Sequence, residues 1–183
     1  MTRLLLVRHA APAGTWGEDD DPGLTDVGRR QAAELVSGAG EHWPGALVSS
    51  PMRRAQETAA PLGRHLGVQV RVEPRFGEVR TPPEVSATRG AWLRDLLGRR
   101  WGDADPSTRE WRAEVIGALR SLPEDTVVFT HFVAINVAVG VATADDRVGC
   151  CTPGHVAVTE LALVDGELTL VRVGAATAPV GPA

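Results

Sequence analysis

This sequence predicts an α/β fold in which helices cover both faces of a mainly parallel, mixed sheet. Short apolar runs typical of buried strands alternate with longer helical patterns up to about residue 141. Two further strand patterns then follow each other directly, and Asp165-Gly166 between them is a tight-hairpin signal. Because a hairpin joins antiparallel strands, the predicted sheet is mixed.

The composition is that of an ordinary globular protein. A chain of 183 residues, 43% of them hydrophobic and 23% charged, predicts one domain over residues 1–173. The small residues and prolines of 174–183 predict a flexible tail. A net charge of -4 gives no bias toward nucleic acid or an anionic membrane, and no apolar run reaches membrane-spanning length. With no targeting segment visible, we expect a cytoplasmic protein without nucleic-acid or membrane partners.

Arginine is the only permanent side-chain cation in this sequence, since all 19 basic residues are Arg and none is Lys. This excludes a Schiff-base or phosphate-loop lysine, whereas the planar guanidinium suits phosphate and carboxylate. The sequence contains only weak evidence for a metal-binding site. Cys150 and Cys151 are adjacent and are expected to be small buried hydrophobic residues, and the acidic run at 18–21 is expected to be a solvated loop.

The first strand and first helix are separated by a loop. Apolar residues at 4–7 predict a buried strand that ends at Arg8 and His9. Thr25 is predicted to cap the helix that follows, and the small residues at 38–40 to end it.

A second strand and second helix follow in the same order. Residues 46–49 predict a short buried strand, and Ser50-Pro51 is predicted to cap the next helix with proline at its first position. Pro61 is expected to kink that helix or end it early. Alternation at 68–72 predicts the third strand.

The second half of the chain begins with an irregular segment at 73–83 and then returns to regular patterns. A helix near 107–122 is well supported because Trp111, Val115 and Leu119 share one face. The predicted elements are helices at 87–97 and 107–122, a strand at 126–130, a buried helix at 132–141, and strands at 155–164 and 167–173.

Polar residues that suit an anion follow three of the predicted strands. The first strand ends at Arg8 and His9, the second leads to Arg53 and Arg54, and the fourth ends at His131. Because the carboxyl ends of parallel strands meet at one edge of a sheet, we expect these side chains to share a crevice. The N-terminus of the second helix points its N–H groups at the same edge.

This group of residues favours phosphoryl transfer without a metal. A neutral imidazole can attack phosphorus, and arginines can stabilise charge on the phosphoryl oxygens. The leaving oxygen also needs a proton from a nearby carboxylic acid. Glu73, Glu78 and Glu84 are the candidates, since all three follow the third strand.

Three stretches of the sequence resemble the histidine phosphatase superfamily, the family of phosphoglycerate mutase-like enzymes and acid phosphatases. They are Leu-Leu-Leu-Val-Arg-His, Leu-Thr-x-x-Gly-x-x-Gln-Ala at 24–32 and Ser-Ser-Pro-Met-Arg-Arg-Ala-Gln-Glu-Thr-Ala at 49–59. The resemblance covers residues 3 to about 141 and is specific because the three motifs occur in the family's order. It implies a three-layer α/β/α sandwich with a mixed sheet, and a phosphatase that needs no metal and no cofactor.

The resemblance implies a role for each matching position. His9 corresponds to the nucleophile, and Arg8, Arg54 and His131 correspond to the residues that bind the phosphoryl group. The pattern Pro-x-Phe-x-Glu places the family's proton donor, which later acts as a base, on Glu78.

The sequence departs from the family at three points. Ala10 and Phe132 stand where glycine is usual after the two histidines, and the stretch after Glu78 is atypical. We expect the methyl group of Ala10 to crowd or reshape the phosphate loop, and Phe132 to add an apolar wall. Glu73 and Glu84 therefore stay open as rival acids.

Because the long insertions of the glycolytic mutases are absent, a phosphomonoester hydrolase is favoured. A phosphomutase and a non-catalytic phospho-ligand binder are the alternatives. The expected partner is a small phosphorylated metabolite, with a phosphoprotein as the alternative, and the sequence does not indicate the oligomeric state.

The sequence gives weaker evidence of a functional role for the other three histidines. His42 and His65 lie in polar or helix-end contexts and are expected at the surface. His155 starts a predicted strand near the expected substrate edge, so both a ligand contact and a structural role stay open for it. Arg53 is expected to face solvent or pair with Glu57, four residues along the helix.

Overall fold

A computed structural model describes residues 1–14, 21–37, 42–82, 85 and 88–176. Within these residues, six strands form one sheet in the order β3-β2-β4-β1-β5-β6. The strands are β1 Thr2–Arg8, β2 Ala46–Ser49, β3 Val70–Val72, β4 Thr126–Thr130, β5 Val158–Val164 and β6 Glu167–Arg172.

The sheet is mixed, as predicted. β1, β2, β3 and β4 run parallel, whereas β5 is antiparallel to both of its neighbours, β1 and β6. β4 lies between β1 and β2, with Arg8 paired to Thr130 and Ser49 paired to Phe129. This register places the carboxyl ends of three strands side by side.

Helices cover both faces of the sheet, which confirms the predicted three-layer sandwich. They are α1 Asp26–Ser37, α2 Arg53–Leu66, α3 Arg89–Leu97, α4 Pro106–Arg120 and α5 Phe132–Thr143, with short 3₁₀ turns at Pro74–Phe76 and Trp101–Asp103. β1 shows how the layers form. Leu5 and Val7 pack in the cluster that contains α1 and α2, and Leu4 and Leu6 pack in the cluster that contains α3, α4 and α5. None of the described helices is long and apolar enough to cross a membrane.

The structure contradicts two expectations about where α2 begins and ends: a start at Pro51 and an early end at Pro61. The helix begins at Arg53 after Met52, not at Pro51 with Ser50 as its cap. The Ser50 hydroxyl accepts from Met52 N–H at 3.2 Å just before the helix, and it also lies 2.7 Å from Nε2 of His131. The helix also continues through Pro61 to Leu66, because burial of its inner face offsets the one backbone hydrogen bond that proline removes.

The backbone of the predicted terminal hairpin has the geometry of a tight turn. Asp165 and Gly166 both have positive φ, 51° and 84°, which is the backbone of a type I′ turn and confirms the predicted hairpin.

Of the predicted tail, residues 174–176 are described, and the Ala175 carbonyl accepts a hydrogen bond from Gly154 N–H at 2.8 Å. Residues 177–183 lie outside the described residues, as do 38–40 and most of the acidic run at 18–21.

Cys150 and Cys151 are free thiols that are half-buried, not fully buried. They pack against the core that contains α5, and both backbone N–H groups donate to Oδ1 of Asn136 at 2.8 Å. The expectation that they behave as small hydrophobic residues is therefore only partly correct.

The glycine of the 24–32 motif permits a close approach between α1 and the chain after β1. A Cβ at Gly28 would lie 2.2 Å from the carbonyl oxygen of Ala11. Ala11 is also held by Thr25, whose N–H and hydroxyl both donate to that carbonyl at 3.0 and 3.1 Å. Thr25 caps α1 as predicted, since its hydroxyl accepts from Gly28 N–H at 2.9 Å.

We expect Gly28→Ala to lower the free energy of unfolding by about 1–3 kcal/mol, because the added methyl group must displace backbone. Gly117→Ala is the matched control, since Gly117 lies in α4 and a Cβ there would meet nothing within 4 Å. Helix propensity predicts that this control gains up to about 1 kcal/mol. Urea unfolding of the two variants measures both changes, and a Gly28→Ala protein as stable as the parent would contradict the close approach.

Candidate active site

The carboxyl ends of β1, β4 and β2 bring the predicted site residues together. His9 follows β1 and His131 follows β4, and their ring centroids lie 5.2 Å apart. Arg54 lies in the first turn of α2, which begins at the same edge of the sheet. The predicted convergence therefore exists in the folded chain, for the reason expected from the parallel topology.

His9 is buried and hydrogen-bonded in a way that selects one tautomer. Its ring Nδ1 lies 2.8 Å from the carbonyl oxygen of Ala10, and a carbonyl can only accept, so Nδ1 carries the proton. Burial lowers the pKa of His9 to about 3, and the positive charges of Arg54 and Arg8 add to this effect. His9 is therefore a neutral imidazole whose lone pair is on Nε2.

The loop after His9 is held by side chains of the other two motifs. Ala10 N–H donates to Oγ1 of Thr58 at 3.0 Å, and Ala11 N–H donates to Oε1 of Gln31 at 3.0 Å. The methyl group of Ala10 is fully buried in a small apolar cluster with Leu24 and Ala32. The methyl group expected to crowd this loop is thus accommodated among apolar side chains.

Arg8 is held by groups on two other elements. Its Nη1 donates to the carbonyl oxygen of Pro153 at 2.9 Å, and its guanidinium carbon lies 5.1 Å from the ring centroid of Phe132. Phe132 therefore supplies a cation–π contact to the arginine beside His9, beyond the apolar wall that we expected.

Arg54 is buried at the site, whereas Arg53 lies at the surface, as the sequence predicted for Arg53. Arg54 is 8% exposed, and its Nη2 contacts the thioether of Met52 at 3.2 Å, a weak acceptor. Burial lowers the pKa of Arg54, although its guanidinium stays charged. Arg53 points outward and pairs with Glu57 at 2.6 Å.

His131 is fully buried between β4 and α5. Its Nε2 lies 2.7 Å from the hydroxyl of Ser50, which also accepts from Met52 N–H at 3.2 Å. We assign the Ser50 proton to the bond with Nε2, which places the His131 proton on Nδ1. Nδ1 is buried and has no hydrogen-bond partner among the described residues. Burial, followed by nearby His9 and Arg54, holds the pKa of His131 well below its usual value.

Glu78 is the buried carboxyl group of the site. It is 6% exposed, and its Oε1 accepts from Val79 N–H at 2.9 Å. Burial raises the pKa of Glu78, although Val79 N–H and the charge of Arg54 oppose part of the effect. A carboxylic acid with a raised pKa beside Arg8 and Arg54 suits a proton donor.

Glu73 and Glu84 are the two rival candidates for the proton donor. Glu73 forms ion pairs with Arg75 at 2.9 Å and with Arg71 at 3.6 Å. Its hydrogen bonds from Arg75 outweigh partial burial and lower its pKa, so Glu73 is an ionised partner of surface arginines. Glu84 lies outside the described residues.

Sequence reasoning missed Arg89 and left His155 undecided. Arg89 begins α3, donates to the carbonyl of Val79 at 3.4 Å and to the Thr81 hydroxyl, and adds positive charge near Glu78. His155 donates from Nδ1 to the carbonyl of His9 at 2.9 Å. No motif marks either residue, so only the tertiary structure shows the contacts that they make.

The fold places two histidines, buried arginines and a buried carboxyl group together at one edge of the sheet, an arrangement whose charges suit an anionic group. The chain belongs to the histidine phosphatase superfamily (branch 1), whose family model matches residues 4–175. The resemblance seen in the three motifs is thereby confirmed.

Curated relatives carry a more specific name. A glucosyl-3-phosphoglycerate phosphatase from Mycobacterium tuberculosis is 36% identical over 140 residues, which is 68% of this chain and 60% of that protein. The corresponding protein of Mycolicibacterium vanbaalenii is 35% identical over 136 residues, or 66% of this chain and 57% of that protein. The matched part of this chain thus spans about 60% of the length of these relatives.

Solved structures resemble this chain over nearly its whole length. A mycobacterial glucosyl-3-phosphoglycerate phosphatase has a TM-score of 0.71 and 24% identity, covering 97% of this chain and 100% of that one. A phosphoserine phosphatase from Entamoeba histolytica in complex with phosphoserine has a TM-score of 0.75 and 18% identity, covering 96% and 98%. These likenesses confirm the phosphoglycerate mutase-like fold.

The low pKa of His9 predicts how stability depends on pH. The imidazole has a pKa of about 3 in the folded protein and about 6.5 in an unfolded chain. Between these values the unfolded chain binds more protons, so the free energy of unfolding falls as the pH is lowered from 6.5 toward 3. His9→Asn removes this titration, and we expect a shallower slope in urea unfolding between pH 7 and pH 5. Equal slopes in the two proteins would contradict a buried, neutral His9.

Proposed function

We propose that this protein is a metal-independent phosphomonoester hydrolase that forms a phosphohistidine at His9. The observation that supports this most directly is the His9 imidazole, which is buried, neutral and protonated on Nδ1 by its bond to Ala10. Nε2 is then an available nucleophile, and Arg8 and Arg54 lie close enough to lower the pKa of His9. The arginines provide the positive charge that phosphoryl transfer requires, so the proposal needs no metal.

In the first step, Nε2 of His9 attacks phosphorus in line with the ester oxygen. The new N–P bond forms as the P–O ester bond breaks, and the leaving alkoxide takes the proton of Glu78. The raised pKa of Glu78 supports this role, because the carboxyl group must hold a proton until the ester bond breaks.

In the second step, water attacks the phosphorus of the phosphohistidine. The ionised Glu78 takes the water proton, the N–P bond breaks, and inorganic phosphate and neutral His9 are restored. Arg8, Arg54 and the Nδ1–H of His131 hold the phosphoryl oxygens in both steps. A bound phosphate dianion opposes the effect of burial on the His131 pKa, so we propose that His131 becomes cationic when phosphate is bound.

We propose a small phosphorylated metabolite as the substrate. The curated relatives are named for glucosyl-3-phosphoglycerate, and one structural relative was solved with phosphoserine. Both compounds are phosphorylated metabolites that carry a carboxylate. A phosphoprotein is the less supported alternative, because these names refer to small molecules.

Phosphate release from a panel of esters tests the function. The panel contains glucosyl-3-phosphoglycerate, 3-phosphoglycerate, phosphoserine and p-nitrophenyl phosphate, each with and without EDTA. We expect release that EDTA does not change, and a loss of roughly 10³-fold or more in His9→Ala. His65→Ala, which changes an exposed histidine in the last turn of α2, is the matched control and keeps full activity.

Each alternative function gives a distinct result in the same panel. Release that persists in His9→Ala would contradict the histidine mechanism. Isomerisation of 3-phosphoglycerate without release would indicate a phosphomutase, and ester binding without turnover would indicate a phospho-ligand binder.

The role of Glu78 predicts a dependence on the leaving group. We expect Glu78→Gln to lower kcat by about 100-fold or more for alkyl esters, whose alkoxides need a proton as they leave. The first step with p-nitrophenyl phosphate needs little proton donation, so a rapid burst of p-nitrophenol should persist in the variant. Stopped-flow absorbance measures that burst, and an equal loss of the first step for both ester types would exclude Glu78 as the acid.

A further inference from the structure

The peptide group between His9 and Ala10 is held from both sides. Its carbonyl oxygen accepts from Nδ1 of His155 at 2.9 Å, and its N–H donates to Oγ1 of Thr58 at 3.0 Å. A peptide group is planar, so hydrogen bonds at its two opposite edges restrict its rotation. Thr58 belongs to α2 and His155 to the segment before β5, so two separate parts of the fold meet at this peptide.

The orientation of this peptide controls the His9 ring. The next carbonyl along the chain, that of Ala10, accepts from Nδ1 of His9 at 2.8 Å and thereby selects the tautomer. Rotation of the preceding peptide would move this acceptor away from the ring. The ring of His155 also lies 5.5 Å from that of His9, tilted by 47°, so it restricts the space into which the imidazole could turn.

The backbone that presents His155 is strained. Val156 has a φ of 54°, in the left-handed region that a β-branched residue rarely adopts. Its N–H donates to the carbonyl of Arg8 at 3.0 Å, and Arg8 N–H donates to the carbonyl of Ala157 at 3.2 Å. The surrounding bonds thus hold a strained residue directly beside His155, which is typical of functional sites.

We propose that His155 is a positioning residue for the nucleophile. Its Nδ1–H holds the His9–Ala10 peptide so that the Ala10 carbonyl stays on Nδ1 of His9 and Nε2 stays directed at phosphorus. This inference rests on the proposed function for its effect on turnover. Its effect on the His9 ring exists without any substrate.

Three substitutions separate this role from general packing. His155→Asn keeps a side-chain N–H near the place of Nδ1, His155→Gln moves the amide toward the place of Nε2, and His155→Ala removes both. We expect kcat to fall about 10- to 100-fold in the Ala and Gln variants with KM within about twofold, because a misplaced nucleophile slows the chemical step. The Asn variant should keep kcat within about threefold of the parent.

Nitrogen-15 NMR of the His9 ring gives a readout that needs no activity. We expect the parent, His155→Asn and the exposed-site control His65→Ala to show His9 protonated on Nδ1. His155→Ala and His155→Gln should show a mixture of tautomers. If the parent releases no phosphate from any ester, the proposed function fails, and the NMR spectra alone still decide the positioning role.

Two results would overturn the inference. One is a His155→Ala protein with the parent's kcat and unchanged His9 resonances. The other is an equal loss in all three variants accompanied by an equal fall in Tm, which would make His155 a structural residue only.

Discussion

The hydrogen bond from Nδ1 of His9 to the carbonyl of Ala10 is the interaction on which the rest of this site depends. It places the single proton of a neutral imidazole on Nδ1, and so leaves the lone pair on Nε2, the proposed nucleophile. Residues of the sequence motifs support this hydrogen bond by holding the loop that carries the Ala10 carbonyl. Thr25 and Gln31 hold Ala11, Thr58 holds Ala10, and Gly28 lets the helix approach that loop closely enough for these contacts.

Burial sets the protonation of the whole site. Removal from water disfavours charge on both histidines and on Glu78, so the pKa values of His9 and His131 fall and that of Glu78 rises. Burial also lowers the pKa values of Arg8 and Arg54, but both stay charged because guanidinium keeps its proton in proteins. The result is a site in which the permanent positive charge resides on arginine, His9 is neutral, and burial favours the protonated form of Glu78. That combination suits a dianionic phosphoryl group.

The differences between prediction and structure come from contacts that are distant in sequence. Ser50 has the sequence features of a helix cap, and its hydroxyl accepts from Met52 N–H, but it also bonds His131, 81 residues away. Pro61 is a helix breaker by local propensity, yet the helix continues because its inner face is buried. Glu73 and Glu78 looked equivalent in one loop, and only their partners distinguish them: arginines for Glu73, and the buried interior for Glu78.

The sequence by itself determined the strand and helix order, the mixed sheet and the placement of His9, Arg8, Arg54 and His131 at one edge. These follow from local periodicity and from the rule that parallel strands share their carboxyl ends. Only the tertiary structure decided the tautomer of His9, the burial that raises the Glu78 pKa, the presence of Arg89 near Glu78 and His131, and the contact of His155 with His9. Desolvation and hydrogen bonding depend on which atoms surround a group in space, and residues 9 and 155 become neighbours only when β5 pairs with β1.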